Sequence, residues 1–371
     1  MSAGVRHLYV HLPFCAHRCG YCDFVTVTGR PGGHGAYVEA LLRELELERH
    51  AVARRVETVY LGGGTPTLTE PAALAHLLAA LPHAGEVTAE ANPETVTPAL
   101  CALLREGGVT RVSLGAQSFA PHLLAVLERR AGPDDVRRAV HHLRAAGFAN
   151  ISLDLLYGIP GQSPSDLDRD LAAALALEPG HLSYYELEAK PGTRFTHRYG
   201  TALARQTEAM EDYFERVVET LTAAGYRWYE TASFCRPGRE SRHNLAYWLG
   251  RDYLGIGVGA VSTVAGLRWQ NTPRLPAYVG ALTAWRTPPR RPEPLDDTVR
   301  RRERLMLGLR LDEPLAFAGV AEVLDGAALE RLERLGLAER RGGGLRLTRR
   351  GRFLGGAVTA ELLAYTGGEV E

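Results

Sequence analysis

The sequence predicts an α/β protein with a parallel sheet in its first two thirds and a smaller C-terminal region. Three observations predict this class. Short runs rich in apolar and β-branched residues alternate with longer segments that carry apolar residues at helical spacing. The alternation stops after Gly225, and a Pro- and Arg-rich stretch precedes the last segment. Strands separated by such helices pair in parallel, either in a closed or partly closed barrel or in a doubly wound sheet.

The elements of the first two thirds form six βα units. We predict strands at Leu8–Leu12, Thr58–Leu61, Glu86–Ala91, Arg111–Gly115, Asn150–Leu156 and His181–Leu187. We predict helices at Tyr37–Arg49, Ala99–Glu106, Asp134–Ala146, Pro164–Leu177 and Glu208–Ala224. Both arrangements of a parallel sheet place functional loops at the carboxyl ends of the strands, where this chain carries its Gly-rich and polar residues.

Beyond Gly225 the pattern predicts a different architecture. A strand at Tyr226–Thr231 is followed by a polar loop through Arg242 and by the Gly-rich segment Leu254–Ala260. The stretch Thr287–Pro294 is predicted to be a linker. A winged-helix-like module is predicted from helices at Thr298–Leu309 and Leu329–Leu335 and a hairpin at Arg340–Thr348. We therefore divide the chain into residues 1–233, 234–286 and 287–371.

Composition excludes several classes of protein. Lys plus Arg and Asp plus Glu both number 43, so no overall field attracts nucleic acid or an anionic membrane. Arginines crowd residues 340–352, but acidic residues lie elsewhere in the same C-terminal tail, and a solvated face is the favoured interpretation over nucleic-acid binding. No apolar run reaches about 18 residues, so we expect a cytoplasmic protein with no integral membrane segment.

Three of the five cysteines form the pattern CxxxCxxC directly after the first predicted strand. They are Cys15, Cys19 and Cys22. An iron–sulfur cubane held by three thiolates keeps one iron free for an outside ligand. Structural zinc is the alternative, and it needs a fourth ligand, for which His11 or His17 is available.

Polar and Gly-rich residues follow several later strands. The segment Leu61–Thr67, LGGGTPT, ends the second strand and lacks the Lys-Ser or Lys-Thr pair of a phosphate-binding loop. Glu90 and Asp154 suit ribose hydroxyls, because a carboxylate accepts both hydrogen bonds of a diol. Arg129 suits a carboxylate through its planar fork, and Gln117 lies at another strand end. Taken singly, each residue is more typical of a capped turn or a surface ion pair.

These motifs resemble the radical-SAM superfamily, in which an aromatic residue, here Tyr21, precedes the last cysteine of the motif. The resemblance implies a 4Fe-4S cluster whose open iron is chelated by S-adenosylmethionine, and a partial parallel (β/α)6 barrel. Within the superfamily the chain is similar to the HemN/HemW family, from Leu8 to about Ala260 and again in LMLGLRL and LTRRGRFL. By that resemblance, the S-adenosylmethionine site is lined by Tyr9, Tyr21, Gly64, Thr65, Glu90, Gln117, Arg129 and Asp154.

Three features favour the heme chaperones of this family over its coproporphyrinogen dehydrogenases. Asp23 and Phe24 follow Cys22 where the dehydrogenases carry a further cysteine, and the arm before Cys15 is short. The segment RHNLAYW is similar to the chaperones' HNxxYW motif, which implicates His243 in heme ligation. On spacing alone, His243 caps a loop and the aromatic residues pack an interface.

The expected function is therefore heme binding and transfer to hemoproteins, with an electron donor serving the cluster. The alternative is oxygen-independent decarboxylation of coproporphyrinogen III, and a more distant one is radical chemistry on another tetrapyrrole, including heme degradation. Glu128 and Ala131 depart from the family, which often carries a glycine and a histidine there.

Overall fold

A computed structural model of the chain describes residues 4–29, 32–190 and 194–363. Its strands are β1 (His7–Leu12), β2 (Phe14–Cys15), β3 (Val27–Thr28), β4 (Val56–Gly63), β5 (Ala84–Ala91), β6 (Arg111–Gln117), β7 (Ile151–Tyr157), β8 (His181–Glu186), β9 (Arg227–Glu230), β10 (Ser233–Cys235), β11 (Leu254–Ile256), β12 (Val261–Val264), β13 (Leu267–Asn271), β14 (Arg290–Pro294), β15 (Leu315–Ala316), β16 (Ala338–Arg341) and β17 (Gly344–Leu347).

The helices cover the sheet and build the C-terminal module. They are α1 (His34–Leu47), α2 (Pro71–Ala80), α3 (Pro98–Glu106), α4 (Pro121–Val126), α5 (Pro133–Ala145), α6 (Pro164–Ala176), α7 (Arg194–Gln206), α8 (Met210–Ala223), α9 (Arg242–Trp248), α10 (Leu275–Thr283), α11 (Asp297–Gly308), α12 (Gly326–Arg334), α13 (Arg349–Phe353) and α14 (Gly355–Leu362).

One nine-stranded sheet organises the molecule, in the order β11-β1-β4-β5-β6-β7-β8-β10-β9. Strands β11 to β8 in this order are parallel, whereas β10 pairs antiparallel with β8 and β9. The six predicted strands are β1, β4, β5, β6, β7 and β8, so the parallel α/β fold is confirmed. No pairing joins β11 to β9 among the described residues, and the sheet is the open, partial barrel that the resemblance implied.

All five predicted helices are present as α1, α3, α5, α6 and α8, but other helices of the barrel were not predicted. The α2 sequence, PAALAHLLAA, is apolar nearly all round, so it carries no clear helical stripe. Helix α4 has only six residues, too few for periodicity to show. Both begin at a proline, which is favoured in the first turn because its missing N–H has no intrahelical partner there.

The sheet does not end at the point where the sequence pattern changes. Strand β11 comes from the Gly-rich segment and pairs in parallel with β1, extending the barrel sheet. The predicted linker Thr287–Pro294 is wrong, because Arg290–Pro294 forms β14, which pairs antiparallel with β13. Pro292 and Pro294 are tolerated because β14 is an edge strand. On the side of an edge strand that has no neighbouring strand, a missing N–H removes no hydrogen bond from the sheet. The boundaries at residues 233 and 286 stay a proposal about folding units.

A buried glutamate joins α1 to the segment that follows the barrel. The Glu44 side chain accepts hydrogen bonds from Tyr278 Oη (2.6 Å), Asn271 Nδ2 (2.7 Å) and the Gly257 N–H (2.8 Å). It is fully buried, and burial raises the pKa of its carboxyl group. Arg290 approaches the same carboxylate at 3.3 Å, which supplies the opposite charge that a buried carboxylate needs.

The C-terminal module has its own apolar core. Buried side chains from α11, β15, α12, β16, β17 and α14 form one cluster that includes Leu305, Leu329, Leu345 and Leu362. The predicted hairpin is present, with β16 pairing antiparallel to β17. The module contacts the barrel where Phe353 packs edge-on against Phe214. Within the described residues, the model contains no helix with the length and apolarity to cross a bilayer.

Candidate cofactor site

A cavity of about 970 Å³ opens at the carboxyl ends of the barrel strands. Strands β4 to β8, the cysteine loop and the C-terminal module all contribute to its walls. It gathers nearly all the residues that the sequence nominated, namely Cys15, Cys19, Cys22, Tyr21, Gly64, Thr65, Glu90, Gln117, Arg129 and Asp154. Residues as far apart in sequence as Cys15 and Asp154 thus meet in one space, as parallel topology requires.

The three cysteines come from one loop between β1 and α1. Cys15 ends β2, and its Sγ lies 3.6 Å from Thr65 Oγ1. Arg129 Nη1 approaches Cys19 Sγ at 3.8 Å. Burial raises the pKa of the Cys15 and Cys22 thiols, and an arginine beside the loop supplies positive charge for thiolates. Three thiols from one loop facing a cavity are the donor set that a 4Fe-4S cluster with one open iron requires.

The two histidines available to a zinc site both bond carbonyl oxygens, although His17 Nε2 also lies 3.8 Å from Cys19 Sγ. His17 Nε2 donates to the Glu128 carbonyl oxygen at 2.7 Å. His11 Nε2 donates to the Val25 carbonyl oxygen at 2.8 Å, and its Nδ1 lies 3.1 Å from Tyr9 Oη. These contacts favour the three-thiolate interpretation, because a tetrahedral zinc site needs a fourth ligand.

The glycines after β4 let the cysteine loop pack against this segment. A Cβ on Gly64 would stand 2.6 Å from the Pro13 carbonyl oxygen, and one on Gly63 would stand 2.6 Å from the His11 ring. Gly63 also has a φ of 113°, which side chains rarely adopt. Its N–H donates to Glu90 Oε2 at 3.2 Å. The glycines therefore hold Thr65 beside Cys15.

Two carboxylates face the cavity from alternate strands. Glu90 on β5 accepts from Tyr60 Oη at 2.8 Å, and Asp154 on β7 accepts from Ser113 Oγ at 2.9 Å. Burial, reinforced by the neighbouring Asp154, raises the pKa of Glu90 to about 7. Burial likewise raises the pKa of Asp154, although the Arg111 charge opposes the change. Neither carboxylate forms a salt bridge among the described residues, so both can accept hydrogen bonds from the hydroxyl groups of a ligand.

Arg129 is held with its guanidinium plane fixed. Nη2 donates to Asn92 Oδ1 at 2.8 Å and to the Gly115 carbonyl oxygen at 3.0 Å. Its Nε is buried and has no hydrogen-bond partner. Gln117, at the end of β6, has a φ of 64° beside a bulge in the β6–β7 pairing, and the bulge turns its side chain into the cavity. Unpaired donors and local strain concentrated here are typical of a ligand site.

Tyr9 and His243 lie outside the cavity lining. Tyr9 stacks on Tyr60 with ring centroids 6.2 Å apart. His243 on α9 is 1% exposed, its Nδ1 lies 2.7 Å from Thr58 Oγ1, and its Nε2 lies 2.9 Å from Tyr247 Oη. Burial lowers the pKa of His243 to about 3, so the imidazole is neutral. Both ring nitrogens are occupied within the protein, and heme ligation by His243 stays a prediction that requires the Tyr247 hydroxyl to leave Nε2.

The lining residues that were not nominated from the sequence include Tyr60, Asn92, Arg111 and Ser113. Three of them orient nominated side chains, as the contacts above describe. Asn92 stands two residues after Glu90, and Ser113 stands two residues after Arg111 on the same strand, so strand alternation offered a signal. Arg111 is 1% exposed, and its Nε and Nη1 have no hydrogen-bond partner.

Glu128 replaces a glycine that is frequent at this position in the family, and the replacement affects the turn before Arg129. Glu128 adopts a φ of 57°, the left-handed region that favours the glycine often found there in the family. Its side chain pairs with Arg194, and its carbonyl oxygen holds His17. The substitution therefore keeps the turn that delivers Arg129 to the cavity.

The fold and the site together define a radical-SAM protein. The sequence profile described as Radical SAM superfamily matches residues 9–174. The structure superposes on the coproporphyrinogen III oxidase HemN from Escherichia coli with a TM-score of 0.80 at 24% identity, covering 98% of this chain and 91% of that one. At this identity, the likeness shows the fold alone.

The particular family follows from closer relatives. A protein named heme chaperone HemW from Mycobacterium tuberculosis is 40% identical over 96% of this chain and 94% of its own length. A Bacillus subtilis protein of the same name is 31% identical over 97% of this chain and 99% of its own length. The profile of the HemN C-terminal domain matches residues 295–354. The chain belongs to the HemW family of radical-SAM proteins.

Replacing Cys19 with alanine should abolish the cluster, because the remaining two thiolates cannot hold three irons of a cubane. After anaerobic reconstitution, we expect loss of the broad thiolate–iron absorbance at about 400 nm. Cys235→Ala is the matched control, since Cys235 is fully buried in β10 and does not line the cavity. A Cys19→Ala protein that retained wild-type iron and absorbance would contradict the assignment.

Replacing Glu90 with glutamine should change the pH dependence of stability. Because the folded-state pKa of Glu90 is raised to about 7, the folded protein holds this proton more tightly, and stability falls as pH rises from the ordinary value of 4.5 to about 7. Glu90→Gln removes this loss, so the ligand-free variant should be about 1–2 kcal/mol more stable than wild type at pH 8 and equal at pH 4.

Urea unfolding of the cluster-free protein at the two pH values measures this difference. Glu94→Gln, at an exposed position on the same cavity, is the control. A variant with the wild-type pH profile would refute the assignment of the raised pKa to Glu90.

The same Glu90→Gln variant should bind S-adenosylmethionine about tenfold more weakly, because an amide offers one acceptor oxygen to the ribose diol.

Proposed function

We propose that this protein binds heme and delivers it to hemoproteins, and that it carries a 4Fe-4S cluster and S-adenosylmethionine. The observation that carries the proposal is similarity over nearly the full chain to proteins named heme chaperone HemW. The cysteine loop supports it, because Asp23 and Phe24 follow Cys22 where the dehydrogenases of the family carry a further cysteine. The Phe24 side chain is 62% exposed. We place the transfer in the cytoplasm, with an electron donor serving the cluster.

Each cofactor has residues in this chain that suit it. Cys15, Cys19 and Cys22 would hold the cluster, with the fourth iron open to the amino and carboxylate groups of S-adenosylmethionine. Glu90 and Asp154 would accept from the ribose hydroxyls, and further S-adenosylmethionine contacts would come from Tyr21, Gly64, Thr65, Gln117 and Arg129. Tyr9, which the resemblance also implied, packs behind Tyr60 and would support the site without lining it. When bound, the pair supplies one-electron chemistry on the sulfonium.

The protein residues around the proposed cofactor site orient its polar groups. Tyr60 and Ser113 aim the two carboxylates, and Asn92 aims Arg129. Such a site is compatible with an enzyme as well as with a carrier, because a preformed pocket does not by itself establish turnover. Coproporphyrinogen III dehydrogenase activity is therefore the second candidate, supported by the shared fold with HemN.

One paired experiment separates the two candidates. The anaerobically reconstituted protein is given S-adenosylmethionine and a reductant, then titrated with heme at its Soret band or incubated with coproporphyrinogen III. We expect saturable heme binding and no loss of propionate carboxyl groups by chromatography. Sustained decarboxylation would overturn the carrier proposal and establish the enzyme.

The predicted iron ligand is tested by two substitutions on α9. If His243 binds the heme iron, His243→Ala should weaken heme binding by at least about tenfold and shift the Soret band. Tyr247→Phe is the matched partner, because it frees Nε2 of His243 and keeps the ring; it should bind heme at least as tightly as wild type. Unchanged binding and spectrum in His243→Ala would remove His243 as ligand and leave the carrier proposal intact.

A further inference from the structure

The cavity continues past the cofactor residues to a wall supplied by the C-terminal module. Met306, Leu309, Arg310, Arg352 and Phe353 line this wall. The Met306 side chain is exposed, and Phe353 packs with Phe214 of the barrel, which lines the same space. The wall is thus an apolar surface that carries two arginines, and none of these residues belongs to the proposed S-adenosylmethionine site.

Arg352 is a half-buried cation on the cavity wall, and some of its donors are unpaired. Its guanidinium lies over the Trp228 ring, 3.6 Å from the centroid, and its Nη1 donates to the Trp228 carbonyl oxygen at 2.7 Å. Nε and Nη2 are buried atoms with no hydrogen-bond partner among the described residues. Arg352 forms no salt bridge within the described part of the chain, and burial lowers its pKa to about 10. A guanidinium with buried, unpaired N–H groups is costly unless a ligand supplies acceptors.

Arg310, which follows α11, also stacks on a tryptophan but differs from Arg352 in forming an ion pair. Its guanidinium lies 4.1 Å from the centroid of Trp248, the last residue of α9. Nη2 pairs with Glu230 Oε2 at 3.3 Å, and Nε is buried with no hydrogen-bond partner among the described residues. The Arg310 side chain is 34% exposed and lines the cavity, so its guanidinium remains accessible to a ligand there.

Stacking on tryptophan determines what these arginines can bind. A guanidinium stacked on a ring is held in one plane, and its N–H groups point outward along that plane, where they match the two oxygens of a carboxylate. Two such groups beside an apolar wall suit a flat apolar molecule that carries two carboxylates. A surface anion such as free phosphate would not need the apolar wall.

We propose that Arg310 and Arg352 bind the two propionates of a tetrapyrrole whose macrocycle lies against Met306 and Phe353. This inference rests on the proposed function, which it deepens by assigning the part of the cavity that takes heme. The two arginines would then select for carboxylate-bearing tetrapyrroles, and the ligand would satisfy the donors that the protein leaves unpaired.

Heme and heme dimethyl ester distinguish this role, because the ester keeps the macrocycle and iron but lacks the negative charges. Wild-type protein should bind heme at least about tenfold more tightly than the ester. Arg310→Gln and Arg352→Gln should each lose about tenfold in heme affinity and leave ester affinity unchanged. The ratio of the two affinities, measured on one sample, is insensitive to any loss of folded protein.

Arg350→Gln is the control, because Arg350 is exposed, donates to the Leu335 carbonyl oxygen at 3.4 Å, and is absent from the cavity lining that the described residues form. It should keep the wild-type ratio. Equal affinity of the wild-type protein for heme and ester would overturn the inference while the carrier proposal stands, and so would variants that lose both ligands equally. Failure of the wild-type protein to bind either ligand would overturn the carrier proposal and this inference together.

Discussion

Polar groups inside the barrel must find hydrogen-bond partners, and this requirement organises much of the molecule. Ser152 Oγ lies between Asp154 Oδ1 (3.3 Å) and His181 Nδ1 (2.8 Å), and His181 Nε2 lies 2.8 Å from Tyr229 Oη. These hydrogen bonds connect the Asp154 carboxylate on β7, through His181 on β8, to Tyr229 on β9. Since an unpaired polar group at this depth is costly, the strands that supply partners cannot shift independently of the cofactor site.

The same requirement makes the segment after Gly225 part of the barrel. Tyr229 Oη accepts from the Ser241 N–H at 3.3 Å, and Glu86 on β5 accepts from the N–H groups of Arg242 (3.1 Å) and His243 (3.0 Å). A carboxylate at the N-terminus of α9 is favourable both as a cap and toward the helix dipole. Helix α9 thus packs near the amino ends of β4 and β5. Its His243 ring stacks on the Tyr60 ring with centroids 5.1 Å apart, and Tyr60 in turn orients Glu90.

Several of the buried polar groups that have no hydrogen-bond partner among the described residues belong to side chains that line the cavity. At the cofactor end, the carboxylates of Glu90 and Asp154 lie among Arg111 and Arg129, whereas Arg310 and Arg352 lie on the wall supplied by the C-terminal module. Mixed charges at one end and an apolar wall with arginines at the other suit two different ligands, one rich in hydroxyl and amino groups and one with carboxylates. The fold supplies the rigid walls, and the chemistry comes from the cofactors that these walls would hold.

The sequence by itself determined the parallel strands, the cysteine motif and ten of the residues that line the cavity, because strand patterns and motif spacing are local properties of the chain. It missed α2, because an apolar helix shows no stripe, and it mistook β14 for a linker, because prolines on an edge strand look like a loop. Only the tertiary structure decided that His243 faces Thr58 and Tyr247 while Arg310 and Arg352 face the cavity. Those orientations depend on contacts between distant segments, which no local pattern records.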